Sequence, residues 1–287
     1  MNVRSLTRQL FRTALTAAVL AAPALAHDGH DHGLSVLRIE GKDHSYSNPA
    51  AVQPGWTRVE FRNTGQEAHH VQIIRLPRGQ TAQGFLSELA KNEGAALASA
   101  EMVGGVGMIT PGSSGSVTLD LQEEGTYLTV CFVTDAKGVP HLALGMVGSF
   151  EVKGERQTTQ PPKASVKVQL EDFSFQLPET LVAGKQVWEV VNAGPEPHEM
   201  LIFKLAPGKT MADFAEYMAK PEGPMPAIPV GGAQAANKGR SSFVDLDLEA
   251  GEYILVCAIP SAAHHGETHA ALGMIRPITV AAGTAQQ

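Results

Sequence analysis

The most constraining feature of this chain is that it repeats itself. Sliding the 287-residue sequence along itself by 129 positions sets Asp43 on Asp172, Asn63 on Asn192, Gly65 on Gly194, Glu67 on Glu196 and His69 on His198. Gly79, Thr81 and Phe85 then fall on Gly208, Thr210 and Phe214. The offset drifts to 127 at two Gly-Gly pairs (Gly104-Gly105 and Gly231-Gly232) and to 126 at Tyr127/Tyr253 and Cys131/Cys257. It returns to 128 at His141/His269 and Met146/Met274. Small length changes of this kind are what surface loops absorb. The period is too long for a solenoid unit, so it predicts two duplicated domains, at 34–153 and 165–282. The polar, proline-bearing stretch between them reads as a linker over 154–164.

Each half has the same order of local signals. Short β-branched and apolar runs are bounded by Gly, Pro and Asn: WTRVEFRN, HVQIIRL, SVTLDL and TYLTVCFV in the first half, QVWEVVN, EMLIFKL, SFVDLDL and EYILVCAI in the second. The alternation in SVTLDL and FVDLDL predicts half-buried strands, and several such strands in about 110 residues predict an antiparallel sandwich. One segment per half breaks the pattern. TAQGFLSELAKNEG and TMADFAEYMAKPEG have helical spacing, begin at Thr81 and Thr210, which are good caps, and end near Gly.

The N-terminus carries Arg4, Arg8 and Arg12, then an apolar run from Ala14 to Leu25 and the small-residue step Ala24-Leu25-Ala26. This predicts a secretory signal peptide over 1–26 and a periplasmic or secreted protein with no membrane span after cleavage. The exported chain then opens on a His/Asp tail, HDGHDHG (27–33), with His27, His30 and His32. Removing the signal leaves 19 Lys+Arg against 29 Asp+Glu, an acidic balance that argues against nucleic acid as a partner. Two cysteines are too few for a disulfide framework, although one bridge fits an oxidising compartment.

The chemistry-bearing residues come in the same order twice. His69, Cys131, His141 and Met146 in the first half match His198, Cys257, His269 and Met274 in the second. Two imidazoles and a thiolate make a trigonal set for copper, and a thioether supplies a weak axial donor. Soft sulfur suits Cu(I) and imidazole suits Cu(II), so one set serves both states.

These motifs carry a resemblance. The Asn-x-Gly turn before the first His, the GTYLTVC and GEYILVC runs into the cysteine, and the HLALGM and HAALGM endings resemble those of the cupredoxins, the blue-copper family of plastocyanin-like and azurin-like proteins. The resemblance covers nearly all of the chain outside the tail, linker and helical segments. It implies an all-β fold of two tandem cupredoxin-like Greek-key β-sandwiches, each with a short helical insertion. It also implies one type 1 copper per domain, held by His69, Cys131, His141 and Met146 and by His198, Cys257, His269 and Met274, which exchanges single electrons with a redox partner protein. A copper-binding or copper-handling protein is the alternative.

Two points stay open in the sequence. The Cys-to-His loops hold nine and eleven residues, longer than in small cupredoxins, and His264 and His265 in the second compete with His269. His70 likewise competes with His69, and the 129-residue offset favours His69. His44 has Phe173 as its counterpart and reads as structural. Neither cysteine has a neighbouring histidine of the kind that wires two copper centres together. The only His-x-His lies in the tail, and no Cys-x3-Cys loop occurs. On these grounds the chain is expected not to be an enzyme.

Overall fold

The computed structural model of the chain describes residues 33–220 and 223–283. The signal-peptide expectation and the tail histidines lie outside the described residues.

The first half runs β1 (Ser35–Lys42), β2 (Ser45–Ser47), β3 (Ala51–Val52), β4 (Gly55–Asn63), β5 (His69–Arg75), α1 (Ala82–Leu89), α2 (Glu93–Ser99), β6 (Glu101–Ile109), β7 (Ser114–Leu121), β8 (Gly125–Val130) and β9 (Val147–Val152). The second runs β10 (Val166–Glu171), β11 (Ser174–Gln176), β12 (Leu181–Val182), β13 (Gly184–Asn192), β14 (His198–Leu205), α3 (Met211–Ala219), β15 (Ala227–Ala236), β16 (Ser241–Leu248), β17 (Gly251–Val256) and β18 (Ile275–Ala281). The expected strands are present. In β4 buried and less buried residues alternate, as a strand with one face on the core requires.

Two sheets form. One has the order β11-β10-β13-β16-β7-β4-β1-β2, the other β12-β18-β17-β14-β15-β6-β5-β8-β9-β3. The sandwich is not purely antiparallel as expected: β1 pairs with β4, β3 with β9, β10 with β13 and β12 with β18 in parallel. After β2 the chain crosses to the other sheet as β3 before returning as β4. Strands joined by a crossover, unlike those of a hairpin, are free to pair in parallel.

Both sheets run unbroken from one half to the other. β6 pairs with β15 and β7 with β16, both antiparallel. In the first seam Val106 faces Ala233, and in the second Val117 faces Val244. Each of these pairs lies 127 residues apart, the local offset of the repeat. Each half therefore meets its own counterpart about an internal pseudo-twofold axis. One apolar core fills the space between the sheets across both halves, with Trp188, Phe61, Phe150 and Phe175 among its largest members.

The helices cover the outer face of the second sheet. Phe85 packs with Ile74, Leu128 and Val130 in the first half, and Phe214 with Phe203, Ile254 and Val256 in the second. Burying one such phenylalanine stabilises the fold by about 1.5–3 kcal/mol. This cover explains why β5 and β14 are buried almost throughout and do not alternate. Thr81 and Thr210 cap α1 and α3 as expected. The first half departs from the expected single helix. α1 ends at Leu89, and Asn92, whose side chain accepts from the Ala95 N–H at 3.1 Å, starts a second helix through Gly94. The Asn cap outweighs one glycine, which costs a helix only about 1 kcal/mol.

Candidate metal centres

Each half gathers its predicted histidines and cysteine at one end of the sandwich. The first histidine follows an Asn-x-Gly turn. Asn63 Nδ2 donates to the Glu67 carbonyl at 2.8 Å, and its Oδ1 accepts from the Gly65 N–H at 3.0 Å. Asn192 does the same with Glu196 and Gly194, at 2.7 and 2.9 Å. The turn delivers His69 and His198 as the first residues of β5 and β14, both fully buried. Glycine is required there for space. A Cβ on Gly65 would lie 2.1 Å from Asp43 Oδ1 and 2.9 Å from His69 Nε2. On Gly194 it would lie 2.5 Å from Asp172 Oδ1 and 2.7 Å from His198 Nε2.

The cysteines stand just past the ends of β8 and β17, fully buried and unbridged. The long loops after them are pinched shut. Thr134 bridges to Pro140 and Pro260 to Thr268, while the His141 N–H donates to the Val133 carbonyl and that of His269 to the Ile259 carbonyl, both at 2.8 Å. The extra length lies beyond the pinch, so nine or eleven residues deliver a histidine to the same place. His264 and His265 sit in that excursion, exposed, with His264 Nδ1 on Ser261 Oγ. The methionines close the knot. The Met146 N–H donates to the His141 carbonyl at 2.9 Å and its carbonyl accepts from the Cys131 N–H. Met274 repeats this with His269 and Cys257. Both methionines are fully buried.

In the first half His69 Nδ1 lies 3.0 Å from His141 Nδ1, and Cys131 Sγ lies 3.9 and 3.6 Å from the two. In the second half His198 Nδ1 lies 2.9 Å from His269 Nδ1, with Cys257 Sγ at 3.9 and 3.3 Å. His70, the competitor of His69, turns away. Its Nε2 accepts the Phe132 N–H at 2.8 Å, and Glu199 accepts the Ala258 N–H at 3.0 Å in the equivalent place.

Sequence reasoning missed the carboxylates behind the rings. His69 Nε2 meets Asp43 Oδ1 at 3.0 Å, His198 Nε2 meets Asp172 Oδ1 at 2.5 Å, and His269 Nε2 meets Glu196 Oε2 at 2.8 Å. The signal was present, since Asp43/Asp172 and Glu67/Glu196 are repeat pairs. Burial works against ionising Asp43. The hydrogen bond from His69 and the N–H groups of Gln66 and Glu67 nonetheless hold its carboxyl below the ordinary range. Glu196 is held low in the same way, with His269, the Ala263 N–H and Ser261 offsetting its burial. Burial and then the Asp172 hydrogen bond act on His198 in opposite directions, and burial prevails, lowering its pKa. Burial pushes both thiols up.

The donor chemistry fits copper. In the second half both outer nitrogens are committed to carboxylates, as N–H donors. The two inner Nδ1 atoms are then bare lone pairs facing each other beside a sulfur, an arrangement that a cation completes. Two imidazoles and a thiolate with a buried thioether nearby suit copper, at up to two sites.

No protein-family model matches the chain, and no curated protein matches it. Among solved structures, auracyanin A, a "blue" copper protein from the green thermophilic photosynthetic bacterium Chloroflexus aurantiacus, is 18% identical. The match covers 42% of this chain and 100% of that one, with a TM-score of 0.30. A multicopper oxidase is 16% identical over 86% of this chain and 88% of its own, with a TM-score of 0.25. A copper-containing nitrite reductase from Thermus scotoductus SA-01 is 12% identical over 87% of this chain and 61% of its own, also with a TM-score of 0.25. The expectation that the chain is not an enzyme fails here, because enzymes stand among these matches. A missing His-Cys pair speaks only to wiring between two copper centres, and leaves other copper chemistry untouched. The two sheets, with one buried His–Cys–His set in each half, are consistent with a two-domain β-sandwich of cupredoxin-like fold.

Proposed function

We propose that the chain is a periplasmic or secreted copper protein that carries single electrons through two type 1 sites, one in each half. His69, Cys131, His141 and Met146 hold the first, and His198, Cys257, His269 and Met274 the second. The observation that carries this reading is the convergence of two bare Nδ1 atoms and a sulfur in a fully buried place. Bound copper supplies a one-electron Cu(I)/Cu(II) couple. The protein's share is to hold the donors still. Asp43, Asp172 and Glu196 fix ring orientation through Nε2, the Asn-x-Gly turns fix the first histidine, and the loop pinches fix the second. Burial excludes water, so a change of charge meets little solvent rearrangement.

The sites face opposite ends of the second sheet, because β5 and β14 run antiparallel through β6 and β15. Strand spacing and rise place His69 and His198 on the order of 20 Å apart. Each site is therefore addressed from its own end, by a partner that gives or takes one electron. Among the described residues no helix is long and apolar enough to cross a membrane.

Titration of the metal-free protein with Cu(II) tests the reading. It should bind two coppers per chain with intense visible thiolate-to-copper absorption, release protons from the buried thiols, and bleach on reduction. Cys131→Ser and Cys257→Ser should each remove about half of the absorption. Copper binding without that absorption overturns the assignment. The mass of the exported chain, starting at His27, tests the location.

A further inference from the structure

Among the described residues the first half carries a further group of metal-binding atoms, and the second half does not. His44, Glu67 and His141 each offer one ligand atom, and these lie within 4.8 Å of one another. Glu67 Oε2 stands 2.9 Å from His141 Nε2 and 3.4 Å from His44 Nε2. All three atoms are shielded from solvent, and none has a hydrogen-bond partner. His141 is fully buried, with its other nitrogen turned to His69 and Cys131. Its approach to Glu67 is out of line for an N–H···O bond. The equivalent His269–Glu196 pair makes that bond at 2.8 Å.

We propose that these three atoms form a second cation site, for a divalent transition-metal ion such as Zn²⁺, with His141 shared between it and the His69–Cys131 group. Two imidazole nitrogens and a carboxylate oxygen suit zinc, while calcium and magnesium ask for shells of six or more oxygens. Zinc bonds of about 2.0–2.2 Å set tetrahedral donors roughly 3.4 Å apart, which falls inside the range these atoms span. The Glu67 and His44 side chains are partly exposed, so a water that enters with the cation can serve as the fourth donor. Binding is acid–base exchange only: the cation replaces any proton on His141 Nε2, which leaves to solvent.

The second half provides the contrast. Phe173 packs at a tilt against His269 with ring centroids 4.9 Å apart, as His44 does against His141 at 5.0 Å. Packing over the ring thus needs an aromatic plane and no nitrogen. His44 also sits in the left-handed region, φ 63°, which non-glycine residues seldom occupy.

The probe is zinc alone, counted after dialysis. The full chain should carry Cys131→Ser and Cys257→Ser, to disable the thiolate sets, and His27→Gln, His30→Gln and His32→Gln, to silence the tail. Adding His44→Phe should lower the count by one zinc per chain, and adding Glu67→Gln should weaken that zinc at least tenfold. A zinc count unmoved by both overturns the proposal. The same difference is read independently in the otherwise unaltered, copper-saturated protein. There His44→Phe should lose one zinc while keeping the wild-type copper. If the wild type binds no copper, the electron-carrier reading fails, and the zinc count on the thiolate-free chain still decides this proposal.

Discussion

The two donor groups share their inner shell and differ in what touches it. Both have a His–Cys–His set, a buried methionine, an Asn-x-Gly turn and an acidic residue behind each histidine. Around this frame His44 is matched by Phe173, Tyr46 by Phe175 and His70 by Glu199. The shared features are those that place atoms: Gly65 and Gly194 leave room for a carboxylate that a methyl group would displace. The differing ones set charge and polarity near the sulfur. The Tyr46 hydroxyl donates to the His70 carbonyl beside Cys131, whereas Phe175 brings no polar atom. Position is thus specified twice, and electronic surroundings are specified separately in each half.

The largest effect should come from removing the room for those carboxylates. Gly65→Ala should cost the first site 10–100-fold in copper affinity, and Gly194→Ala the same in the second, each leaving the other half untouched in a copper titration. Next come the carboxylates themselves. Glu196→Gln should weaken the second site more than Glu67→Gln weakens the first, because only Glu196 makes an in-line bond to its histidine. Equal losses in competition with a chelator would erase this distinction.

The pair His70 and Glu199 should give opposite pH slopes in the metal-free protein. Burial, with His141 and His69 nearby, lowers His70 from 6.5 to about 3. The unfolded chain then takes up a proton that the folded one refuses, and stability falls as pH drops from 6.5 toward 3. Burial raises Glu199 from 4.5 to about 7 despite the Ala258 N–H. The folded chain then keeps a proton that the unfolded one releases, and stability falls as pH rises from 4.5 toward 7. Each slope is at most about 1.4 kcal/mol per pH unit. Between pH 4.5 and 6.5 they oppose, so Glu199→Gln should expose a stability that rises with pH and His70→Gln one that falls. Chemical denaturation across that window reads both, and identical slopes in the two variants would contradict this account.

The smallest contrast lies at the helix starts. Thr210 makes a reciprocal capping box with Asp213, while Thr81 only accepts, from the Gly84 N–H. Thr210→Ala should cost about 1 kcal/mol in thermal unfolding, and Thr81→Ala less.

The residues that converge at each site could be picked out in the sequence because their order is written twice. His69, Cys131, His141 and Met146 would each pass as an ordinary core residue, and only their recurrence marks them. Asp43 and Glu67 recur too, but an acidic residue on a turn is so common that recurrence alone assigns it no partner. Its partner is set by how β1 and β2 fold over the end of β5, a tertiary fact. The second helix was illegible because Gly94 reads as a stop, and the Asn92 cap that overrides it is a local geometry. The seam was hidden most completely. Val106, Val117, Ala233 and Val244 look like any interior strand residues, and nothing in alternation says which strand lies alongside.

That seam has a consequence for how the molecule can change. An interface in which each strand meets its own counterpart is what two identical copies would make. In such an assembly every substitution lands at both sites at once, so one site cannot acquire a histidine where the other keeps a phenylalanine. Two such halves on one chain are free of that coupling, and His44 in the first against Phe173 in the second is the freedom it allows.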